Sequence, residues 1–232
     1  MNAPIGLSSA ASREAAGQDA AKYGTSNPVV RRLLDRWTDR LRELIEPVSG
    51  VVVDVGMGEG LCSERVLRLS RDAAPRGTPG DQRTGSPHRD GRFRLIGVEY
   101  RFDKASIARQ LPIAGVTVGD AGMLPLPDRV ADVVLCIEVL EHLPSVPPAV
   151  RELARITRGT CIVSVPWEPW FRLGNLGRGK NVARLGNDPE HIHWFTPGAL
   201  SRTLGTSFQD VRIVRVFPWL VAVARMPDGS QG

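Results

Sequence analysis

The run from Gly50 to Val55, GVVVDV, followed at once by Gly56, Gly58 and Gly60, constrains this chain more than any other feature. A short β-branched run with little polar alternation is what a strand buried on both faces of a parallel sheet requires. Glycines just past its end let the backbone turn tightly and approach a ligand, and a helix opening there presents its N-terminal amides. The helical segment LCSERVLRLSR follows directly. The loop reads GxGxG, without the third-glycine spacing of the dinucleotide fingerprint or the Lys-Ser/Thr of a P-loop. A nucleotide phosphate would lack its usual grip. Asp54, at the strand's end, disfavours phosphate there and favours a cation.

Strands and helices then alternate. Before the glycine strand, Val30, Leu33, Leu34, Trp37, Leu41, Leu44 and Ile45 recur at steps of three and four, one face of an amphipathic helix begun at Asn27-Pro28 and ended by Pro47. After it come a strand from Phe93 ending in Glu99, a short helix from Asp103 to Gln110, and a strand from Ala114. Next are the apolar strand ADVVLCIEV from Ala131, a helix from Pro147 to Thr157, and a strand from Cys161. A helix at Pro197–Leu204 and strands Val211–Phe217 and Leu220–Arg225 close the chain. Only a few residues around Pro218 join the last two strands, too few for a parallel crossover, so they must pair as a hairpin. The pattern predicts a single α/β domain over 26–232: a Rossmann-like, doubly wound mixed sheet of seven strands with a C-terminal antiparallel hairpin.

Composition narrows the classes further. The chain has 232 residues, 42% hydrophobic and 24% charged, enough for a full core in one domain. No stretch reaches the roughly 20 apolar residues of a membrane span. Residues 1–25 are Ala/Ser/Gly-rich with no apolar h-region, and read as a disordered tail rather than a secretory signal. Cys62, Cys136 and Cys161 are widely spaced and suit a reducing cytoplasm, not a disulfide scaffold. The formal charge of +5 invites a nucleic-acid partner, but much of the excess is local. Six arginines fall between Arg71 and Arg94, around a Pro/Gly-rich insertion, residues 72–92, that reads as a mobile basic loop.

Two further acids stand at strand ends. Glu99 can accept both hydroxyls of a ribose, and Asp120 can accept from an exocyclic adenine amine. Taken singly, each is as readily a capped turn. Three acids at successive strand ends, where α/β sheets bind ligands, make one site.

The motifs VVVDVGMGEG, LIGVEY, VGDAGMLPLPD and ADVVLCIEVLEHL, in that order, resemble the class I S-adenosylmethionine-dependent methyltransferases over about residues 27–226. The resemblance implies S-adenosylmethionine as cofactor, with Asp54, Gly56, Gly58 and Gly60 lining its methionine part. It implies Glu99 and Tyr100 at the ribose and Asp120 with Ala121 at the adenine. Met57 departs from the Cys or Ala often found there; backbone does the binding, so its side chain should alter little.

Chemistry at the acceptor points to Glu138, Glu141, His142, His191 and His193, which hold three of the chain's four histidines. Two readings stand. In one, Glu141-His142 opens a helix and hydrogen-bonds locally, with His142 or His191 serving as base. In the other, Glu138, Glu141, His142 and His191 (or His193) hold Mg2+ or another divalent metal that orients a hydroxyl. The ExxEH arrangement resembles that of the ubiquinone-pathway O-methyltransferases and of small-RNA 2′-O-methyltransferases. Residues 166–196 read as a lid over the acceptor, with Trp167, Trp170 and Phe171 as apolar anchors. In the same stretch Arg172, Arg178, Lys180 and Arg184 are either a solvated face or a grip on an acidic acceptor. The expected activity is methyl transfer to a hydroxyl of a small polar metabolite. Its rivals are a metal-assisted RNA 2′-O-methyltransferase and a catalytically silent cofactor-binding protein. Oligomeric state and acceptor identity are not written in the sequence.

Overall fold

The computed structural model describes residues 23–45, 50–67, 93–111, 113–170 and 191–226. Most of the expected tail, the 72–92 insertion, and residues 171–190 of the expected lid, with Phe171, Arg172, Arg178, Lys180 and Arg184, lie outside the described residues.

The chain runs through α1 (Pro28–Ile45), β1 (Gly50–Val55), α2 (Leu61–Leu67), β2 (Phe93–Glu99), α3 (Phe102–Ala108) and β3 (Gly115–Val118). It continues through β4 (Ala131–Ile137), a 3-10 turn (Leu140–His142), α4 (Val146–Ile156), β5 (Thr157–Pro166), α5 (Pro197–Leu204), β6 (Asp210–Val216) and β7 (Trp219–Arg225). Seven strands form one sheet in the order β3-β2-β1-β4-β5-β7-β6. The first five in that order pair in parallel. The expected hairpin is present, and β7 inserts antiparallel between β5 and β6, so the sheet is mixed as its short final connection requires. The order reverses between β1 and β4, which opens a crevice at the carboxyl ends of those strands.

Strand alternation divides the core. Val53, Val55, Val134, Cys136, Val163 and Val165 pack under α4 and α5; Val52, Val133, Leu135, Ile162 and Val221 pack under α1 and α2. The spacing in α1 places Leu34, Trp37, Leu41 and Ile45 in the second of these cores, each such burial stabilising by roughly 1.5–3 kcal/mol. Asn27 caps α1, its side-chain carbonyl accepting from the amides of Val29 at 3.0 Å and Val30 at 3.3 Å. Trp37 is fully buried; its indole N–H donates to Ser164 Oγ at 3.0 Å and its ring stacks on Trp219 at 4.9 Å.

β5 starts at Thr157, earlier than the Cys161 start that the sequence suggests. The register with β4 steps from Ala131↔Thr157 to Val133↔Thr160, so β5 carries an extra residue there, a bulge. Gly159 sits in it, where a Cβ would stand 2.4 Å from the Asp132 carbonyl oxygen. Gly159 is the residue that lets the strand begin early.

Replacing Trp37 by Ala empties the space against Trp219 and is expected to cost about 3–5 kcal/mol of stability. Trp37→Phe keeps a ring against Trp219 while losing the bond to Ser164 and part of the indole volume, and is expected to cost less than Trp37→Ala. Urea unfolding of the two variants separates these effects; equal losses would contradict the stacked-ring account.

Candidate active site

The crevice at the strand ends is lined first by the loop after β1. Gly56, Gly58 and Gly60 have φ of 73°, 58° and 81°, the left-handed region that glycine enters without strain. Close approach explains two of them as well: a Cβ on Gly56 would lie 2.4 Å from Val139 Cγ2, and one on Gly60 would lie 2.2 Å from Leu111 Cδ1. The Gly56 contact carries the β1 loop across to the segment after β4, over the point where the strand order reverses. The amides of Gly56 and Met57 donate to the Val98 carbonyl at 2.7 and 3.2 Å, which ties the loop to the end of β2.

Met57 does more than the sequence suggests. Its side chain is buried, and its sulfur occupies the position where a Cβ on Gly97 would be, 1.9 Å away. The thioether and the glycine are a fitted pair that floors the loop.

Glu99 ends β2 and is 7% exposed. Its Oε2 accepts from the Gly58 amide at 2.8 Å and its Oε1 from the Arg101 amide at 2.9 Å, so backbone N–H groups hold the carboxylate across the loop. Asp54 shares the face of Val52, towards α2, and there the Ser63 hydroxyl donates to its Oδ2. Burial pushes the Asp54 carboxyl up to about 7; the Ser63 bond opposes that rise and the charge on Glu99 reinforces it. Tyr100 is exposed beside Glu99, with its side chain in solvent. Asp120 and Ala121 open the turn after β3, where Asp120 Oδ1 accepts from the Gly122 amide at 2.7 Å. Six of the expected cofactor residues, Asp54, Gly56, Gly58, Gly60, Glu99 and Tyr100, lie at the ends of β1 and β2. Asp120 and Ala121 lie past β3, at the same end of the sheet.

The acceptor candidates divide. Glu141, His142 and His191 come together: one ligand atom from each lies within 4.8 Å of the others, and the two imidazoles meet edge to face at 5.0 Å. The Glu141 backbone carbonyl accepts from the amides of Ile192 at 2.8 Å and His193 at 3.2 Å, so the 191–194 segment is pinned to the 3-10 turn. Glu138 is not in this group. It has φ of 58°, and its Oε2 accepts from the Trp219 indole N–H at 3.1 Å. His193 faces away too, with Nε2 2.9 Å from the Leu143 carbonyl oxygen. Glu141-His142 opens no helix; it forms a single 3-10 turn, and α4 begins only at Val146. Beyond β5, Trp167 meets Trp170 edge to face at 6.4 Å and Trp170 meets Phe217 at 6.2 Å. Sequence reasoning missed Trp219 as the partner of Glu138 and missed Ser63 as the partner of Asp54. Only the i to i+9 spacing of Asp54 and Ser63 along a strand, loop and helix carries any local signal.

Residues 82–164 match the family described as "Methyltransferase domain". The chain is 28% identical over 142 residues to the ubiquinone/menaquinone biosynthesis C-methyltransferase UbiE of Caulobacter vibrioides, a match covering 60% of this chain and 53% of that protein. It is 37% identical over 120 residues to a probable S-adenosylmethionine-dependent methyltransferase of Mycolicibacterium smegmatis, covering 50% of this chain and 37% of that one. The matches thus span about half or less of those relatives. Among solved structures, a putative S-adenosyl-L-methionine-dependent methyltransferase of Methanococcus maripaludis superposes with a TM-score of 0.66 at 13% identity, covering 99% of both chains. The magnesium protoporphyrin IX methyltransferase of Synechocystis PCC 6803 does so at 0.59 and 15% identity, covering 91% of this chain and 93% of that one. At those identities the likeness is one of fold. Together these matches bear out the resemblance to class I methyltransferases.

The raised Asp54 pKa sets a sign. A carboxyl ordinarily near 3.8 and lifted to about 7 in the fold gives its full contribution to stability below about pH 4, and that contribution is lost as pH rises through 7. In the ligand-free protein, Asp54→Asn is therefore expected to gain stability relative to the parent as pH climbs from 4 to 8. Denaturant titrations across that range measure the difference; a difference independent of pH would overturn the assignment.

Proposed function

We propose, for a chain with the class I S-adenosylmethionine-dependent methyltransferase fold and a methyltransferase-domain sequence over residues 82–164, that it transfers a methyl group to a hydroxyl of a small polar metabolite. The observation that carries the cofactor half of this reading is the Glu99 carboxylate, held by the Gly58 and Arg101 amides across a left-handed glycine loop at the strand-order reversal. A carboxylate there has lone pairs left for a ribose diol, while the glycine loop offers bare backbone to the methionine part. Two carboxyls, Asp54 and Glu99, also make the crevice favourable for the positive charge of a sulfonium and an α-ammonium.

The bound donor supplies an electrophilic methyl carbon in line with a leaving thioether sulfur. The chain's part is to position and to take a proton. As the acceptor oxygen took the methyl group and the donor left as a neutral thioether, His142 or His191 would take the hydroxyl proton. These imidazoles stand on the segment after β4 and on the stretch pinned to it. In this reading residues 166–196 cover the acceptor, 72–92 is an insertion outside the core, and the protein works in the cytoplasm with Cys136 and Cys161 as buried thiols. Among the described residues no helix is long and apolar enough to cross a membrane.

A divalent metal fits the same cluster. Glu141 is 1% exposed, and its carboxylate converges with two imidazole nitrogens. One carboxylate and two imidazoles suit a borderline ion such as Mn2+, Fe2+ or Zn2+ better than Mg2+. Glu141, His142 and His191 would hold it; Glu138, bonded to Trp219, would not. Such an ion, when bound, lowers the pKa of a ligated hydroxyl.

Titration calorimetry with S-adenosylmethionine is expected to show binding that Glu99→Gln weakens by about 1.5–3 kcal/mol, the worth of a charge-assisted pair. Binding near neutral pH is expected to release protons as Asp54 ionises against the bound cation, seen as a heat that depends on the buffer's ionisation enthalpy. No uptake of the donor by the parent protein would end this reading.

Methyl transfer from labelled donor to a panel of small hydroxyl compounds, RNA oligonucleotides and carbon acceptors tests the chemistry. Label in oxygen products of small molecules supports it, and label confined to RNA, to carbon or to nothing overturns it. In the same assay, loss of transfer on EDTA treatment and recovery with Mn2+ supports the metal, and indifference to EDTA removes it.

A further inference from the structure

We infer that Arg155, on α4 and outside the site itself, is a positioning residue that fixes recognition of the donor's purine base; this rests on the S-adenosylmethionine reading above. The segment 119–130 joins β3 to β4 without regular secondary structure and carries Asp120 and Ala121 near its start. Such a segment must find partners for its backbone groups one at a time. It supplies a few itself: the Met123 amide donates to the Asp120 carbonyl at 3.0 Å and the Leu126 amide to the Leu124 carbonyl at 2.8 Å. At its start the Gly119 amide donates to the Glu99 carbonyl at 3.1 Å, and from Leu124 onward its anchorage comes largely from α4.

The Arg155 guanidinium spends all five of its N–H donors on this task. Nη2 donates to the Leu124 carbonyl at 3.0 Å, and Nη1 to the Leu126 carbonyl at 2.8 Å and to Asp128 Oδ1 at 2.6 Å. Nε and Nη2 form a fork on Glu152 at 2.8 and 2.7 Å. Glu152 Oε2 in turn accepts from the Leu124 amide at 2.7 Å. Leu124 is thus gripped at both its N–H and its C=O, and its side chain is buried in the core. The Arg129 amide closes the segment on the Arg155 carbonyl at 2.8 Å.

Packing carries this grip back to the base-recognition residues. The Pro125 ring lies against Gly119, where a Cβ would stand 2.8 Å from Pro125 Cδ. A Cβ on Gly122 would stand 3.3 Å from Asp120 Oδ1 and 3.4 Å from Pro148 Cβ, so the Asp120 turn sits between the clamp and the start of α4. Asp120 is exposed, with Met123 78% exposed beside it, so the turn has little burial of its own to hold it. The Gly122 amide orients the Asp120 carboxylate locally, and the placement of that turn over the crevice depends on the Pro125 and Pro148 contacts that α4 holds in place. A lysine cannot substitute, because its ammonium has three donors and no planar fork.

The probes are S-adenosylhomocysteine and S-inosylhomocysteine, which differ in the 6-amino against 6-oxo group and the N1 proton that goes with the latter, titrated calorimetrically against the full chain. The parent protein is expected to prefer the adenosine ligand. Arg155→Met is expected to weaken that ligand at least tenfold. It should also collapse the adenosine-to-inosine preference, and Arg155→Lys should fail to restore it. In an Asp120→Ala background, Arg155→Met is expected to leave the remaining ratio unchanged, since Arg155 acts through that turn.

A folded Arg155→Met protein that keeps both affinity and preference overturns the proposal, as does one that loses only thermal stability. Where Arg155→Met does not fold, Glu152→Gln, which loosens the same Leu124 grip, replaces it under the same two criteria. A parent protein that binds neither ligand refutes the cofactor reading instead.

Discussion

Two carboxyls buried under one glycine loop set the terms for this molecule. Asp54 and Glu99 end neighbouring strands and cannot both carry an unshielded charge out of water without a large cost. The fold resolves them differently. Glu99 takes two backbone amides, Gly58 and Arg101, which hold it as an oriented acceptor. Asp54 takes one hydroxyl, from Ser63, and burial with the Glu99 charge keeps its proton on to about pH 7. The ligand-free crevice therefore holds a deficit of positive charge. A cationic ligand relieves that deficit, a nucleotide phosphate deepens it, and so the electrostatics of the loop select the ligand class before any shape does.

The same logic of opposed faces organises the acceptor side. Ser164 and Trp219 belong to the face covered by α1, and Trp37 reaches both. The Trp219 indole then holds Glu138, whose φ of 58° places it in a conformation that non-glycine residues rarely adopt. Such a residue persists where its surroundings over-determine it, and here β4, the Ser164 carbonyl accepting its amide at 2.8 Å, and the indole all do so. The N-terminal helix is therefore part of the site's support, although it contributes no atom to the loop or to the Glu141–His142–His191 cluster.

The features legible in the sequence were the local ones. The β-branched run, the glycines, Glu99 and Asp120 at strand ends, the period of α1 and the closing hairpin all carry their reasons within a few residues. The illegible features depend on contacts across the fold. Glu138 and Glu141 lie three apart and share a motif, yet one bonds to Trp219 and the other meets His191. His191 and His193 are two apart, and only the pinning of their segment to the Glu141 carbonyl decides which imidazole enters the cluster. The early start of β5 went unread because the bulge at Gly159 depends on the register with Asp132 on the neighbouring strand. Met57 reads as a neutral departure because its partner, Gly97, sits on another strand and has no side chain to announce it.

The weight placed on α4 comes from the shape of the sheet. β3 is an edge strand of four residues with no fully buried side chain, so it gives the next segment only weak anchorage. Asp120 stands just past that strand's end, at the margin of the sheet, whereas Asp54 and Glu99 rise from interior strands. A site that needs the same precision at its margin as at its centre must import rigidity. In this fold α4 is the element that can lend it, because its own face is locked into the core through Val146, Val150 and Leu153. The Glu152–Arg155 pair, one turn apart on the adjoining face, converts that helix's immobility into fixed hydrogen bonds on Leu124 and Leu126. The segment past the sheet's short edge strand thereby borrows its anchorage from a helix packed into the core.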